Sequence, residues 1–166
     1  MKYREGLKIV GFTTVVAVVY GVAHDLITAH VCPDYFLPPY HPLLIETREP
    51  VLLALLWGFV ATFWMGGILG LGLGFAAQAG SRPKLTLAQL RRPLLLTMVA
   101  VWGSAMSILL VLHFITLRVA ALEPKVTEIN RRLVIVGITH AYSYAAAAIA
   151  GIGLAVYVLR RRMLSA

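Results

Sequence analysis

Four long apolar stretches, at residues 7–31, 51–77, 94–117 and 133–158, alternate with shorter segments that hold most of the charge. Each meets or exceeds the ~20 residues that an α-helix needs to cross ~30 Å of hydrocarbon. Their apolar character is continuous: WGFVATFWMGGILGLGLGFAA, residues 57–77, lacks the apolar–polar alternation of a barrel strand. A lone span in lipid must satisfy its backbone groups within its own helix. The pattern therefore predicts an all-α membrane protein, a four-helix transmembrane bundle forming a single transmembrane domain over residues 1–166.

Composition supports that class and excludes others. The chain is 60% hydrophobic and 13% charged, with a mean hydropathy of +0.83, whereas about a quarter of the residues in a soluble domain are charged. Charge then gives an orientation, because cytoplasmic flanks carry the excess of Lys and Arg. Lys2, Arg4 and Lys8, then Arg82, Lys84, Arg91 and Arg92, then Arg160, Arg161 and Arg162 all fall on one side. The other side holds Arg48, Arg118, Lys125, Arg131 and Arg132, together with the acids Asp25, Asp34, Glu46, Glu49, Glu123 and Glu128. Both termini are expected in the cytoplasm. The net charge of +8 is then a topological signal and an attraction to anionic lipid heads rather than a nucleic-acid footprint. Gly21-Val22-Ala23 behind an apolar run resembles a secretory cleavage site, but Leu26, Ile27, Ala29 and Val31 carry the helix past it, and an uncleaved span is expected.

The polar chemistry is concentrated in residues 24–41, HDLITAHVCPDYFLPPYH. The lone Cys32 excludes an internal disulfide framework, a CxxC pair and a thiolate zinc cluster. All five histidines lie on the outward side. At ~1.5 Å per residue, His24 and Asp25 sit just inside the outer boundary, His140 roughly 10 Å and His113 roughly 6 Å beneath it. Tyr20, His24 and Thr28 share a face of helix 1; His140 and Tyr144 share a face of helix 4 with Gly137 and Ala147. Ionisable groups at membrane depth cost several kcal/mol against lipid and turn into the bundle to find partners. Asp25 is suited to orient a histidine of a neighbouring helix. The same residues also suit a hydrogen-bonded network that only fixes helix packing. His113, His30 and His41 each have an equally plain reading, as a snorkelling or solvated side chain, and Tyr35, Phe36 and Tyr40 suit an aromatic belt.

Five of the eight prolines, Pro33, Pro38, Pro39, Pro42 and Pro50, follow helix 1, so the outer loop between helices 1 and 2 is expected to be a stiff, extended lid. Helix 2 carries Gly66, Gly70 and Gly74 four residues apart, and helix 4 carries an alanine run and Gly151. Small residues at that spacing let helices approach closely in lipid. Helices 2 and 4 are expected to cross tightly, or to dock a second copy or a larger membrane complex. GGILGLGLG follows no strand and is not a nucleotide loop. Thr86-x-x-Gln89 matches a capping box in the cytoplasmic connection, where one short interfacial turn is expected.

HDLITAHVCPDYF followed by HP, with His24, Asp25, Thr28, Cys32, Tyr35, Phe36, His41 and Pro42 as the matching positions, resembles an uncharacterised family of small bacterial four-span membrane proteins. The resemblance implies the fold and a bacterial inner-membrane location and brings no activity. Asp34 and the doubled Pro38-Pro39 depart from its wording.

The residues leave three functions open. In the first, His24, His41 and His140 bind a transition metal (Zn, Cu or Fe), or haem, with Asp25, Tyr20, Tyr35 and Tyr144 as orienting or proton-handling neighbours. In the second, the chain is a non-catalytic accessory subunit. In the third it transports a small solute or a proton as an oligomer, against which stands the lack of an internal repeat. Hydrolase and di-iron readings lack their motifs, and Ser143 has no nucleophile context.

Overall fold

The computed structural model describes residues 4–123 and 125–164, so Lys2 lies outside the described residues. Four helices occupy the chain, α1 Arg4–Val31, α2 Pro50–Gln78, α3 Leu87–Leu122 and α4 Glu128–Leu164, with a 3-10 turn at Pro33–Phe36 and no strand among the described residues. All four are long and apolar enough to cross a membrane. Their outward faces carry Val19, Phe63, Leu71, Phe75, Val99, Phe114 and Ile149, all exposed, an apolar surface far larger than a water-soluble monomer tolerates.

The helices run past the apolar stretches that announce them, because a helix ends where its backbone loses partners and not where hydrocarbon ends. At the start of α4, Glu128 pairs with Arg131 and Arg132 at 2.7 Å, i,i+3 and i,i+4 contacts that support helix in water. α3 begins at Leu87, seven residues before the expected start and ahead of Pro93. The Thr86 backbone N–H donates to Gln89 Oε1 at 2.9 Å, so the capping box opens α3 itself and not a separate turn. Pro93 cannot donate to the Gln89 carbonyl; Arg161 Nη1 lies 3.4 Å from that oxygen and donates to it.

α1 packs along α2, α3 packs on α4, and lesser contacts join α2 to α4 and α1 to α3. The ring order is therefore α1, α2, α4, α3, with α1 and α4 facing each other across the diagonal. The glycine stripe corrects the expected helix 2–helix 4 crossing. A Cβ on Gly58 would lie 2.6 Å from the Val22 Cα, one on Gly66 2.6 Å from the Ala17 Cβ and one on Gly70 2.9 Å from the Val10 Cα. The stripe is spent on α1, inside the chain, and α4 meets α2 through Gly151 against Leu69. Backbone cannot yield as a side-chain tip can. Gly58→Ala is therefore expected to cost about 1–3 kcal/mol by overpacking. Gly67→Ala, with nothing within 4 Å of its Cβ, is expected to gain about 0.5–1 kcal/mol of helix propensity. Thermal unfolding in detergent separates them; equal effects would mean that close α1–α2 approach does not hold the bundle together.

The stretch after α1 is compact rather than extended. Pro33 opens the 3-10 turn, and Tyr40 and His41 both donate backbone N–H groups to the Leu37 carbonyl. Phe36 is 1% exposed and packs with Ala29, Leu53, Ala54 and Trp57.

Candidate metal site at the α1–α4 diagonal

His24 and Asp25 lie near the C-terminal end of α1, and His140 lies just over three turns into α4. All three are buried, at 3%, 5% and 5% exposure. The diagonal placement of α1 and α4 makes this position interior. His140 Nε2 stands 3.1 Å from Asp25 Oδ1, and His140 Nδ1 stands 3.0 Å from the Val136 carbonyl. A carbonyl only accepts, so Nδ1 carries a proton and donates it. Nε2 and the carboxylate oxygen then face each other as two electron-rich atoms, and one cation must lie between them. A proton satisfies that need, and so does a metal ion.

His24 differs from its neighbours. Its ring meets the His140 ring edge to face with centroids 4.7 Å apart and stacks on Tyr20 at 5.9 Å, yet both of its nitrogens are buried without a hydrogen-bond partner. Such an atom costs about 1–3 kcal/mol. Ligand atoms of His24, Asp25 and His140 all lie within 4.8 Å of one another, the one such group of three or more His, Cys, Asp or Glu among the described residues. With metal–nitrogen bonds of about 2.0–2.1 Å, neighbouring donors of a tetrahedral ion stand roughly 3.3 Å apart. The Asp25–His140 pair already has that spacing. His24, tethered by no hydrogen bond, is the ring able to swing in.

The other expected site residues fall around this core. Tyr20 Oη lies 2.5 Å from Ser143 Oγ, a second polar bridge between α1 and α4. Ser143 is three residues from His140, and helical phase alone places it on the same face. Tyr144 lies with its ring 6.3 Å from that of His140 and is half exposed. His41 is outside the group of three. Its Nδ1–H donates to the Tyr35 carbonyl at 2.6 Å, and its ring packs on Trp57 at 4.7 Å. Tyr35 touches both rings, 4.9 Å from His41 and 4.7 Å from His140, and Phe36 lies 5.7 Å from His140. Two aromatic side chains of the loop thus lie against both His41 and His140. Tyr35 and Phe36 pack inward onto His140 as a plug, whereas Tyr40 is 53% exposed.

Burial holds His41 below the ordinary imidazole value, opposed in part by its bond to the Tyr35 carbonyl, so the ring is neutral at neutral pH. Burial, with the nearby Asp25 carboxyl, raises the Tyr35 phenol. His113 faces Arg131, with Nδ1 3.4 Å from Nη1, and His30 is an exposed side chain bonded to the Leu26 carbonyl. Neither joins the site. No family model, curated protein or solved structure matches the chain.

Proposed function

We propose that the chain is an integral protein of the bacterial inner membrane, both termini cytoplasmic, that holds a divalent transition-metal ion between His24, Asp25 and His140 near the outer face. One observation carries the reading: a buried imidazole with two unpartnered nitrogens packs against a His–carboxylate pair whose facing nitrogen and oxygen need a proton or a metal ion between them. Orientation rests on the basic residues beside the spans, and the bacterial setting on the resemblance of the HDxxT…CxxYF…HP positions. Two histidines and one carboxylate suit Fe(II) or Zn and leave coordination positions open for water or a ligand. A bare ion is favoured over haem, because imidazoles in edge-to-face contact at 4.7 Å have no slot between them for a porphyrin plate.

A second reading has its own support. His140 has both nitrogens engaged within the chain, as a packing network in an accessory subunit requires. Elemental analysis of detergent-purified protein, after titration with Fe(II), Zn(II) or Cu(II) and removal of excess, decides between them. One tightly held ion per chain is expected. A blank for all three ions transfers the assignment to the accessory subunit, and a Soret band replaces the ion with haem.

A further inference from the structure

At the opposite end of the bundle, between α1 and α2, an open groove of about 680 Å³ is lined by Gly6, Val10, Leu71, Phe75, Gly80 and Lys84. Its walls are apolar and its lip is cationic. Leu71 and Phe75 are exposed, so the groove opens sideways, where acyl chains run beside a membrane-spanning helix. A second cavity, about 270 Å³, shares Phe75 and Gly80 with the first and is edged by Ser81, Arg82 and Arg162. The two meet around the C-terminal end of α2.

A helix C-terminus repels anions through its unsatisfied carbonyls. Here that repulsion is cancelled. Arg162 of α4, 3% exposed, donates from Nη1 to the Ala76 carbonyl and from Nη2 to the Ala79 carbonyl, each at 2.6 Å. It also donates from Nε to Pro83 at 2.8 Å and from Nη2 to Arg82 at 3.1 Å. Its bonds go to carbonyls, and among the described residues no carboxylate forms an ion pair with Arg162, Lys84 or Arg82. Lys8, by contrast, is already matched by Glu5 at 2.5 Å. The end of α2 therefore carries a buried guanidinium and two exposed cations beside an apolar slot.

We infer that this groove is a binding site for an anionic glycerophospholipid, with one acyl chain along Val10, Leu71 and Phe75 and its phosphate at the lip formed by Lys84, Ser81 and Arg82. The charge complementarity selects an acidic headgroup, and the apolar slot selects a lipid over a free phosphate. The site is independent of the metal reading.

Native mass spectrometry of the detergent-solubilised chain in equal phosphatidylglycerol and phosphatidylethanolamine tests it. Preferential retention of phosphatidylglycerol is expected. Lys84→Ala and Arg82→Ala, both at exposed positions, should each lower it about fivefold, since a basic residue near the surface contributes on the order of 1 kcal/mol. Gly6→Phe should remove retention of both lipids; Gly6 lines the groove and its Cβ would meet only Gln78 Cγ at 3.9 Å, so the added side chain starts in open space. Equal retention of the two lipids, or phosphatidylglycerol binding unmoved by the two alanine variants, would overturn the assignment. So would undiminished retention in a folded Gly6→Phe chain, or displacement of the lipid by millimolar inorganic phosphate.

Discussion

His24→Leu is expected to make the metal-free protein more stable while abolishing its capacity to hold an ion. The two effects have one cause. The His24 ring donates and accepts nothing, so leucine of similar volume removes two buried unsatisfied atoms and leaves the packing against Tyr20 and His140 largely filled. Relief of even one such atom contributes about 1–3 kcal/mol, against a repacking cost below about 1.5 kcal/mol. Ion affinity should move the other way. Loss of a group that merely orients a ligand already costs about 10–100-fold, and loss of a ligand should cost at least about 100-fold. Thermal unfolding of the metal-free chain and competition against a coloured chelator measure the pair. An affinity unchanged in His24→Leu would remove His24 from the site, and a large destabilisation of the metal-free chain would mean that its nitrogens have partners.

The second large effect belongs to His140→Ala, for which a loss of about 3–5 kcal/mol is expected even without metal, because it strands the buried Asp25 carboxyl beside a cavity. The expected pattern is a cycle. Asp25→Asn should cost far less, since an amide can still donate to Nε2, and Asp25→Ala with His140→Ala should cost markedly less than the two single changes added together. Simple additivity would show that the 3.1 Å contact carries no coupling. The two experiments also separate the parts played by neighbouring histidines. On the metal reading, His140 should support both fold and ion, whereas His24 should support the ion alone.

The meeting of these residues is legible in the sequence because two constraints act together. A 20-residue apolar run fixes how deep a residue sits, and helical phase with the cost of a polar group against lipid fixes which way it turns. His24, Asp25 and His140 obey both. His41 obeys neither, since it lies in a loop, and its position depends on a 3-10 turn that inserts Tyr35 and Phe36 ahead of it. Proline content shows that the loop is not a regular helix, but not how tightly it folds. The glycine stripe of α2 announces a close neighbour without identifying it. Spacing within one helix says nothing of which partner presents a matching surface, and here Val22, Ala17 and Val10 of α1 do so. The helix ends are misjudged where charged side chains support the helix in water, as Glu128 does with Arg131 and Arg132, or where a proline is accommodated, as Pro93 is once Arg161 reaches the Gln89 oxygen.

Arg162 gives the chain an order of completion. The turn after α2 depends on a guanidinium 79 positions downstream of Pro83. Until α4 has been made, the carbonyls of Ala76 and Ala79 are without the donor that Arg162 supplies, and the end of α2 is completed only by the last helix.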